Sequence, residues 1–530
     1  MEETYMDQPE EKKRPTIWIW IVVAIVVILG CCCLAAGGGS FFYLSSQGQN
    51  VFDLPSLLNQ TLPEEMAPTL EAILPEATLL PAIDTPPAIA TLQPTSPVAT
   101  EASEPLGAGT EQLVVESNSG IWVVNPASGE NVQISYSRLD APTNLQEGLS
   151  PNKQYFAYVN GFGGASTYPI LTVLDTETHM AVLELDLVGP LGPPAVDSVV
   201  GDPALEAARA TTMGSSLAWS PDGQYLAFIS AQDGDSADLY LYDPEEDTVA
   251  RVSEEPGNAS DLHWSPDGQY IEYSSVNSFG TGAGTDMQGI WLYDLAAQQS
   301  RQIEEVETSG EVFLGWIDDQ TFIMHSWGAL CECYHLRMVD VTATEQDVLI
   351  NGCFTGIALN PGQQYGMLAV TQFNEDNCNC GNPLETGLYT FGAHTSLKKL
   401  TGDEFYSISY IPQGELFAIL GEGGLQEVYA TDGSPVNIPS EVAGLKPLPA
   451  PQGDYWAWAS YYSGKTGLWI TGSASPLEIS AQFTGDPVWS QDGQTLYYIE
   501  DNALYQASAP DFSPALLMEE PGIELNRVTR

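Results

Sequence analysis

An eleven-residue unit that recurs along this chain constrains the fold more than any other sequence feature. The unit is clearest at 218–228, where it reads Ala-Trp-Ser-Pro-Asp-Gly-Gln-Tyr-Leu-Ala-Phe, and it returns nearly unchanged at 263–273. Its centre predicts a tight turn, because Pro221 fixes φ at the second turn position and Gly223 accepts positive φ without steric cost. Apolar and aromatic residues flank the turn on both sides, so the unit predicts two antiparallel strands joined as a hairpin.

Weaker copies of the unit bring the total to eight. They lie at 149–152, 315–319, 359–362, 410–414, 449–453 and 488–493. An aromatic-rich strand such as 239–243 follows a copy, and a short apolar strand such as 248–252 follows that. Four strands that recur every roughly 40 to 50 residues are typical of a β-propeller blade. A single blade cannot bury both of its faces, whereas a closed ring of blades can.

The repeat therefore predicts an all-β fold, a single β-propeller of four-stranded blades over 111–530. We expect eight blades, with seven and nine as the alternatives. The stretch 112–134 looks like strands B, C and D of a unit that lacks strand A, and 523–528 is a candidate for the missing strand. Propellers often close their ring by completing one blade from both ends of the chain.

The Trp-Ser-Pro-Asp-Gly turn resembles the WD-repeat-like propeller units of the TolB type. The resemblance covers about 147–520, and it implies the architecture but no activity, since propellers host many functions. TolB's N-terminal α/β domain has no counterpart here, so the lipoprotein partner of that family is not implied. We assign a structural role, in turns and in packing between blades, to Trp219, Pro221, Asp222, Gly223, Trp264, Pro266, Asp267, Gly268, Trp489, Asp492 and Gly493.

The N-terminal region predicts a membrane anchor. Residues 17–36 carry no charged side chain and would span about 30 Å as a helix. Lys12, Lys13 and Arg14 precede this run, and the next basic residue after it is Arg138, so the positive-inside rule places the N-terminus in the cytoplasm. We predict a cytoplasmic tail at 1–15, a transmembrane signal anchor at 16–44 and a single-pass cell-membrane protein with its propeller outside.

The alternative for this region is a cleaved signal, because 28–31 resembles a lipoprotein processing site and 34–36 could serve an ordinary signal peptidase. The propeller is exported in either case. Between anchor and propeller, 45–110 holds ten prolines and no Lys or Arg, which predicts a disordered Pro/Thr-rich stalk.

The net charge and the absence of two catalytic motifs limit the classes of function that the sequence supports. The formal net charge of −55 argues against nucleic acid as a partner, because such a chain repels phosphate backbones. The sequence contains neither a Gly-x-Ser-x-Gly elbow nor a His-Glu-x-x-His motif. We therefore predict no enzyme, no cofactor and no metal, but a binding or scaffold module for a protein or glycan ligand. The alternative is an enzyme with an active site across blades, such as a polysaccharide lyase or a hydrolase-like propeller.

The exported cysteines favour disulfides, the default outside the cytoplasm. Cys331, Cys333, Cys378 and Cys380 are the candidates, in two Cys-x-Cys pairs whose connectivity the sequence leaves open, and Cys353 is expected to stay free. A metal site that includes His335 is the alternative.

The lengths of the connections predict which face binds the ligand. The A–B turns are tight, whereas the longer connections at 187–216, 276–288, 326–334 and 371–386 are all B–C or D–A. They include a predicted helix at 202–209 and a glycine-rich loop at 278–284. Elaborated loops on a rigid frame commonly carry binding, so we place the ligand on this face. The chain is expected to enter the ring from the opposite one.

Overall fold

The structure, a computed structural model, describes 91–92 and most of 111–530. Within 111–530 it leaves out 137–138, 142–144, 162–168, 190–201, 234–235, 255, 282–283, 306–310, 327–334, 343–346, 352–353, 371–383, 394, 404, 406, 422–423, 453, 461–466 and 473–474. The predicted tail, anchor and most of the stalk thus lie outside the described residues. None of the helices among the described residues has the length and hydrophobicity of a membrane span.

The described residues form nine antiparallel sheets, which we number as blades in chain order. Blades 1 to 3 and their insertions comprise β1 (Thr91–Leu92), β2 (Leu113–Ser117), β3 (Gly120–Val124), β4 (Asn131–Ser135), α1 (Leu145–Gly148), β5 (Tyr155–Asn160), β6 (Ile170–Asp175), β7 (Ala181–Asp186), α2 (Pro203–Ala210), β8 (Leu217–Trp219), β9 (Leu226–Ser230), β10 (Asp238–Asp243) and β11 (Thr248–Arg251). Blade 2 is β5–β7, and blade 3 is β8–β11 with β1 paired to its outer strand.

Blades 4 to 6 follow in the same pattern, with four strands each. They comprise β12 (Asn258–Trp264), β13 (Tyr270–Thr281), β14 (Gly284–Asp294), β15 (Gln299–Glu305), β16 (Glu311–Trp316), β17 (Thr321–Ser326), β18 (His335–Asp340), β19 (Asp347–Asn351), β20 (Phe354–Asn360), β21 (Tyr365–Val370), β22 (Gly387–Gly392) and β23 (Lys398–Thr401).

Blades 7 to 9 have three, four and four strands, and the last strand of the chain returns to blade 1. They comprise β24 (Ser407–Ile411), β25 (Leu416–Gly421), β26 (Gly424–Ala430), β27 (Lys446–Pro449), β28 (Trp456–Ser460), β29 (Gly467–Thr471), β30 (Leu477–Ser480), β31 (Thr484–Trp489), β32 (Thr495–Glu500), β33 (Ala503–Ser508), β34 (Ser513–Glu519) and finally β35 (Leu525–Thr529).

Nine blades correct the expected eight, and ring closure explains the difference. β35 pairs antiparallel with β2, Val115 opposite Val528, and so supplies strand A of blade 1. The A–B connection of that blade is therefore broken by the two ends of the chain, and no turn motif marks it. The eight sequence copies are the A–B turns of blades 2 to 9. Closure by the C-terminal strand, predicted at 523–528, is confirmed.

Strand A of each blade lies on the inside of the ring. β8 contacts β12, β20 contacts β24 and β31 contacts β35, so inner strands of neighbouring blades meet one another. Blade 2 departs from the pattern: two isolated bridges, Ala141 with Val159 and Leu149 with Phe156, hold the inner position, and α1 lies between them. α1 contacts β8 on one side and β35 on the other. These inner elements line the central channel of the propeller.

Burial between blades accounts for the strand sequences. All five residues of β9, Leu-Ala-Phe-Ile-Ser, are buried, because each face of the blade packs on a neighbouring blade. Phe228 and Tyr240 stack at 5.6 Å within a cluster that also holds Leu171 and Val173 of blade 2. Middle strands covered on both faces are continuously apolar instead of alternating.

Candidate functional site in the central channel

The Ser-Pro-Asp-Gly turns use their polar groups internally. The hydroxyl of Ser220 donates to Oδ1 of Asp222 at 2.6 Å, and that oxygen also accepts the N–H of Gln224 at 3.0 Å. The same bonds recur between Ser265 and Asp267 and between Ser490 and Asp492. The third turn residues, Gly223, Gly268 and Gly493, have φ of 74°, 73° and 67°, which explains glycine there. Pro221 and Pro266 open the first two turns.

The motif tryptophans connect neighbouring blades. Each donates its indole N–H to a backbone carbonyl of the preceding blade: Trp219 to Gly148 at 2.9 Å, Trp264 to Ala218 at 3.0 Å and Trp489 to Leu448 at 2.8 Å. The acceptor in each case is the residue one position before the tryptophan equivalent of its own blade. The turn residues thus stabilise the hairpins, and the tryptophans pack neighbouring blades together. The ionisable side chains described next lie instead at the central channel.

The channel group begins with Asp261 and His263 on β12. A bulge between Ser260 and His263 gives Asp261 a φ of 55°, and such bulges redirect side chains. Nε2 of His263 lies 3.5 Å from Oδ1 of Asp261, and the side chains are 34% and 42% exposed. The backbone N–H of Ser215 donates to the same Oδ1 at 3.0 Å, and the imidazole stacks on Phe313 of blade 5 at 4.6 Å.

The pKa of the Asp261 carboxyl reflects competing effects. Desolvation by the surrounding channel walls would raise it, but the charge and hydrogen bond of His263, together with the Ser215 N–H, hold the pKa below its ordinary value. Asp261 is therefore a persistent negative charge in the channel.

Glu147 brings a second carboxyl to the channel from α1 of blade 2. Its side chain is exposed, yet desolvation by the nearby walls raises its pKa. Three further charges act on it: His263 and Arg527 lower the pKa and Asp261 raises it. These residues belong to blades 4 and 1, so the inner positions of three blades share one electrostatic environment.

Glu272 is the third carboxyl of this group. It lies on β13 directly opposite His263, and its side chain is 0% exposed. Within the described part of the chain, neither carboxyl oxygen has a hydrogen-bond partner. Burial, followed by the nearby charge of Asp261, raises its pKa well above the ordinary 4.5.

Arg527 links this group to the ring closure. Its Nε donates to Oε2 of Glu116, which is buried on β2. Glu111, at the entry to β2, accepts the N–H of Gln491 at 2.9 Å and the hydroxyl of Tyr497 at 3.0 Å. Because Gln491 belongs to the A–B turn of blade 9, the chain enters the ring on the A–B face, as the sequence predicted.

Sequence reasoning missed the channel residues, although a signal for them existed. Neither His263 nor Glu272 belongs to the Ser-Pro-Asp-Gly turn or to a catalytic motif, so the motif search singles out neither residue. The two strongest copies of the unit align Ala218 with His263 and Ala227 with Glu272. At both positions the copy at 218–228 has alanine, whereas the copy at 263–273 has an ionisable residue. This difference marks where blade 4 departs from the repeat.

The opposite face carries a braced insertion between blades 3 and 4. Asp202 caps α2 by accepting the N–H of Ala204 at 3.0 Å, which confirms the predicted helix at 202–209. The 1% exposed Glu206 accepts the N–H of Phe279 at 2.6 Å, and Arg209 donates to the Phe279 carbonyl at 3.0 Å. The predicted glycine-rich loop at 278–284 is wrong, because β13 continues to Thr281 and β14 resumes at Gly284.

The acidic and histidine side chains that could bind a metal are largely described, whereas the cysteines are not. In the described part of the chain, no three His, Cys, Asp or Glu side chains converge closely enough to hold a metal ion. Cys331, Cys333, Cys378 and Cys380, with Cys353, lie outside the described residues. Their pairing therefore stays a prediction.

Comparisons with known proteins found similar solved structures but no family. No protein-family model and no curated protein matches it. Solved structures similar to it include a eukaryotic initiation factor (14% identity, 80% of this chain and 98% of that chain, TM-score 0.48). Others are an oligogalacturonate lyase in complex with manganese (15%, 55% and 88%, 0.33) and a putative TolB from Agrobacterium tumefaciens (16%, 45% and 76%, 0.25). The likeness to TolB concerns the propeller fold alone.

Proposed function

We propose that this chain is a membrane-anchored, extracytoplasmic β-propeller that binds a protein or glycan ligand on the face formed by its B–C and D–A connections. The observation that carries the proposal is the hairpin β13–β14. Its strands run 12 and 11 residues, about twice the length of β9 and β10 with 5 and 6. A hairpin this long extends beyond the blade.

The bracing of this hairpin supports a role in recognition. Glu206 and Arg209 of α2 bond both the N–H and the carbonyl of Phe279, and Phe279 itself is buried. The ring needs neither element, since blade 9 has four strands with only two residues between β32 and β33. Rigid elements that project from a frame lose little conformational freedom on binding, which suits a recognition surface.

The orientation follows from the entry point of the chain. Glu111 lies on the A–B face, so a stalk that leads to 111 would approach from that side. The hairpin would then project away from the membrane.

Photo-cross-linking on intact cells tests the proposal. A photoreactive residue is placed at Asn277, which is exposed on the hairpin, or at Gln224, which is exposed in an A–B turn and serves as the matched control. We expect a discrete cross-linked species from position 277 and none from 224. Protease added outside the cells should digest the propeller. Cross-links from 224 alone, or a propeller protected from protease, would contradict the proposal.

One observation favours an enzyme as the second candidate. Asp261 and Glu147 share the channel, and the pKa of the first is lowered while that of the second is raised. Carboxyls whose pKa values diverge can divide acid and base roles. Cleavage of an acidic polysaccharide by the purified protein, lost in His263→Ala, would decide for this alternative.

A further inference from the structure

We propose that the central channel binds an organic cation rich in N–H groups, an ammonium or guanidinium compound, between Glu147 and the Asp261–His263 pair, with Glu272 contributing an unpaired buried carboxyl. This channel site is separate from the ligand proposed for the hairpin face. Either proposal can fail without the other.

The inner elements bring these side chains to one part of the channel. α1 of blade 2 contacts β8, and β8 contacts β12, so a single inner strand separates Glu147 from Asp261. Both side chains are accessible to solvent. The segment before β8 approaches Asp261 closely, since the Ser215 N–H bonds it and a Cβ on Gly214 would lie 3.0 Å from its Oδ1.

Glu272 is the observation that points to a ligand. Buried polar groups in folded proteins almost always have hydrogen-bond partners, and an unpaired buried carboxyl is costly. Neither oxygen of Glu272 has a partner within the described residues. Directly opposed residues of an antiparallel pair project to the same side of the sheet, so Glu272 shares the side of His263. A cation with several N–H groups in the channel would provide the hydrogen-bond donors that this carboxyl lacks among the described residues.

The carboxyl groups of the channel do not converge on one point, which favours an organic cation over a metal ion. No three of the described acidic, histidine or cysteine side chains are close enough to share one ion. A flexible cation with several N–H donors can instead contact carboxylates that lie farther apart. Arg527, the basic residue that acts on Glu147, already donates to Glu116. The channel group thus holds more negative than positive charge.

Titration calorimetry on the purified full-length protein tests the site, at physiological salt to suppress non-specific attraction to a chain of net charge −55. The probes are spermidine, arginine amide and Mn²⁺ alone. We expect saturable binding of spermidine, arginine amide or both. A preference for arginine amide would identify a peptide side chain as the source of the cation, and a preference for spermidine a free polyamine.

Charge-neutral variants decide whether the channel is responsible. Glu147→Gln and Glu272→Gln should each weaken binding at least tenfold, whereas Glu177→Gln, which removes an exposed charge on blade 2, should change it less than twofold. Glu147 is exposed, so its variant remains informative even if Glu272→Gln fails to fold. Equal weakening by Glu177→Gln, absence of binding, or stoichiometric Mn²⁺ binding lost in Asp261→Asn would overturn the proposal.

Discussion

At the scale of a single residue, the Glu272 carboxyl at the channel makes the stability of the fold depend on pH. Its carboxyl is fully buried and has no hydrogen-bond partner among the described residues. The folded state therefore favours the protonated form, and the pKa lies well above the ordinary 4.5. Such a group stabilises the fold fully below its unfolded pKa, and this contribution is lost as pH rises toward the folded pKa.

We predict that Glu272→Gln removes one pH-dependent component of stability. The free energy of unfolding of the wild type, minus that of the variant, should fall as pH rises above about 4.5, by up to about 1.4 kcal/mol per pH unit. Urea unfolding of both proteins between about pH 4 and about pH 8 measures this difference, in which groups common to both cancel.

The exposed Glu177 supplies the control for that measurement. The difference between wild type and Glu177→Gln should stay flat across the same pH range. A flat difference for Glu272→Gln as well would mean that the Glu272 carboxyl is solvated or paired in solution.

At the scale of elements, a few side-chain to backbone bonds fix the inserted pieces to the repeating frame. α2 holds the long hairpin through Glu206, whose carboxylate accepts the Phe279 N–H and pairs with Arg209 at 3.3 Å. Hydrogen bonds to charged groups contribute about 1.5–3 kcal/mol.

We predict that Glu206→Ala loosens the hairpin locally while the ring stays folded. The amides of 276–281 and 284–288 should exchange with solvent about ten- to a hundredfold faster, which corresponds to the loss of that bond. Hydrogen exchange followed by mass spectrometry measures this. Glu254→Ala is the matched control, because Glu254 is exposed and lies 3.9 Å from Arg251. Unchanged exchange in Glu206→Ala would show that the brace is unnecessary.

The elements also show what the sequence could and could not predict. The turns of blades 2 to 9 were identifiable because each needs proline, a capping side chain or positive φ at fixed offsets. Blade 1 was left out of the count of eight because its strands A and B, β35 and β2, come from opposite ends of 111–530, so no turn motif joins them. The glycines of 278–284 predict a loop, but Gly284 pairs across the strands with Thr281, so the hairpin continues there. The channel residues could not be predicted, because His263 and Glu272 are brought together by the register of β12 and β13. No single copy of the motif reveals that register.

At the scale of the whole molecule, one strand decides whether the ring is closed. β35 buries Leu525 and Val528 against blades 1 and 9, and its Arg527 neutralises the buried Glu116. Glu111 adds a second connection through Gln491 and Tyr497 of blade 9. Ring closure and the Arg527 charge in the channel thus depend on the same strand.

Ending the chain after Glu524 should open the ring. Burying a Leu or Val side chain contributes about 1.5–3 kcal/mol, and a buried charge left without its partner costs about 3–5 kcal/mol. The loss should therefore be a large part of the total stability, and it should be seen in urea unfolding and in faster amide exchange of β2 and β31. A synthetic peptide of 520–530, added in trans, should restore protection by occupying the vacant strand position, and a scrambled peptide should not. If the shortened chain unfolded at the wild-type urea concentration, the β35–β2 pairing would not be what closes the propeller.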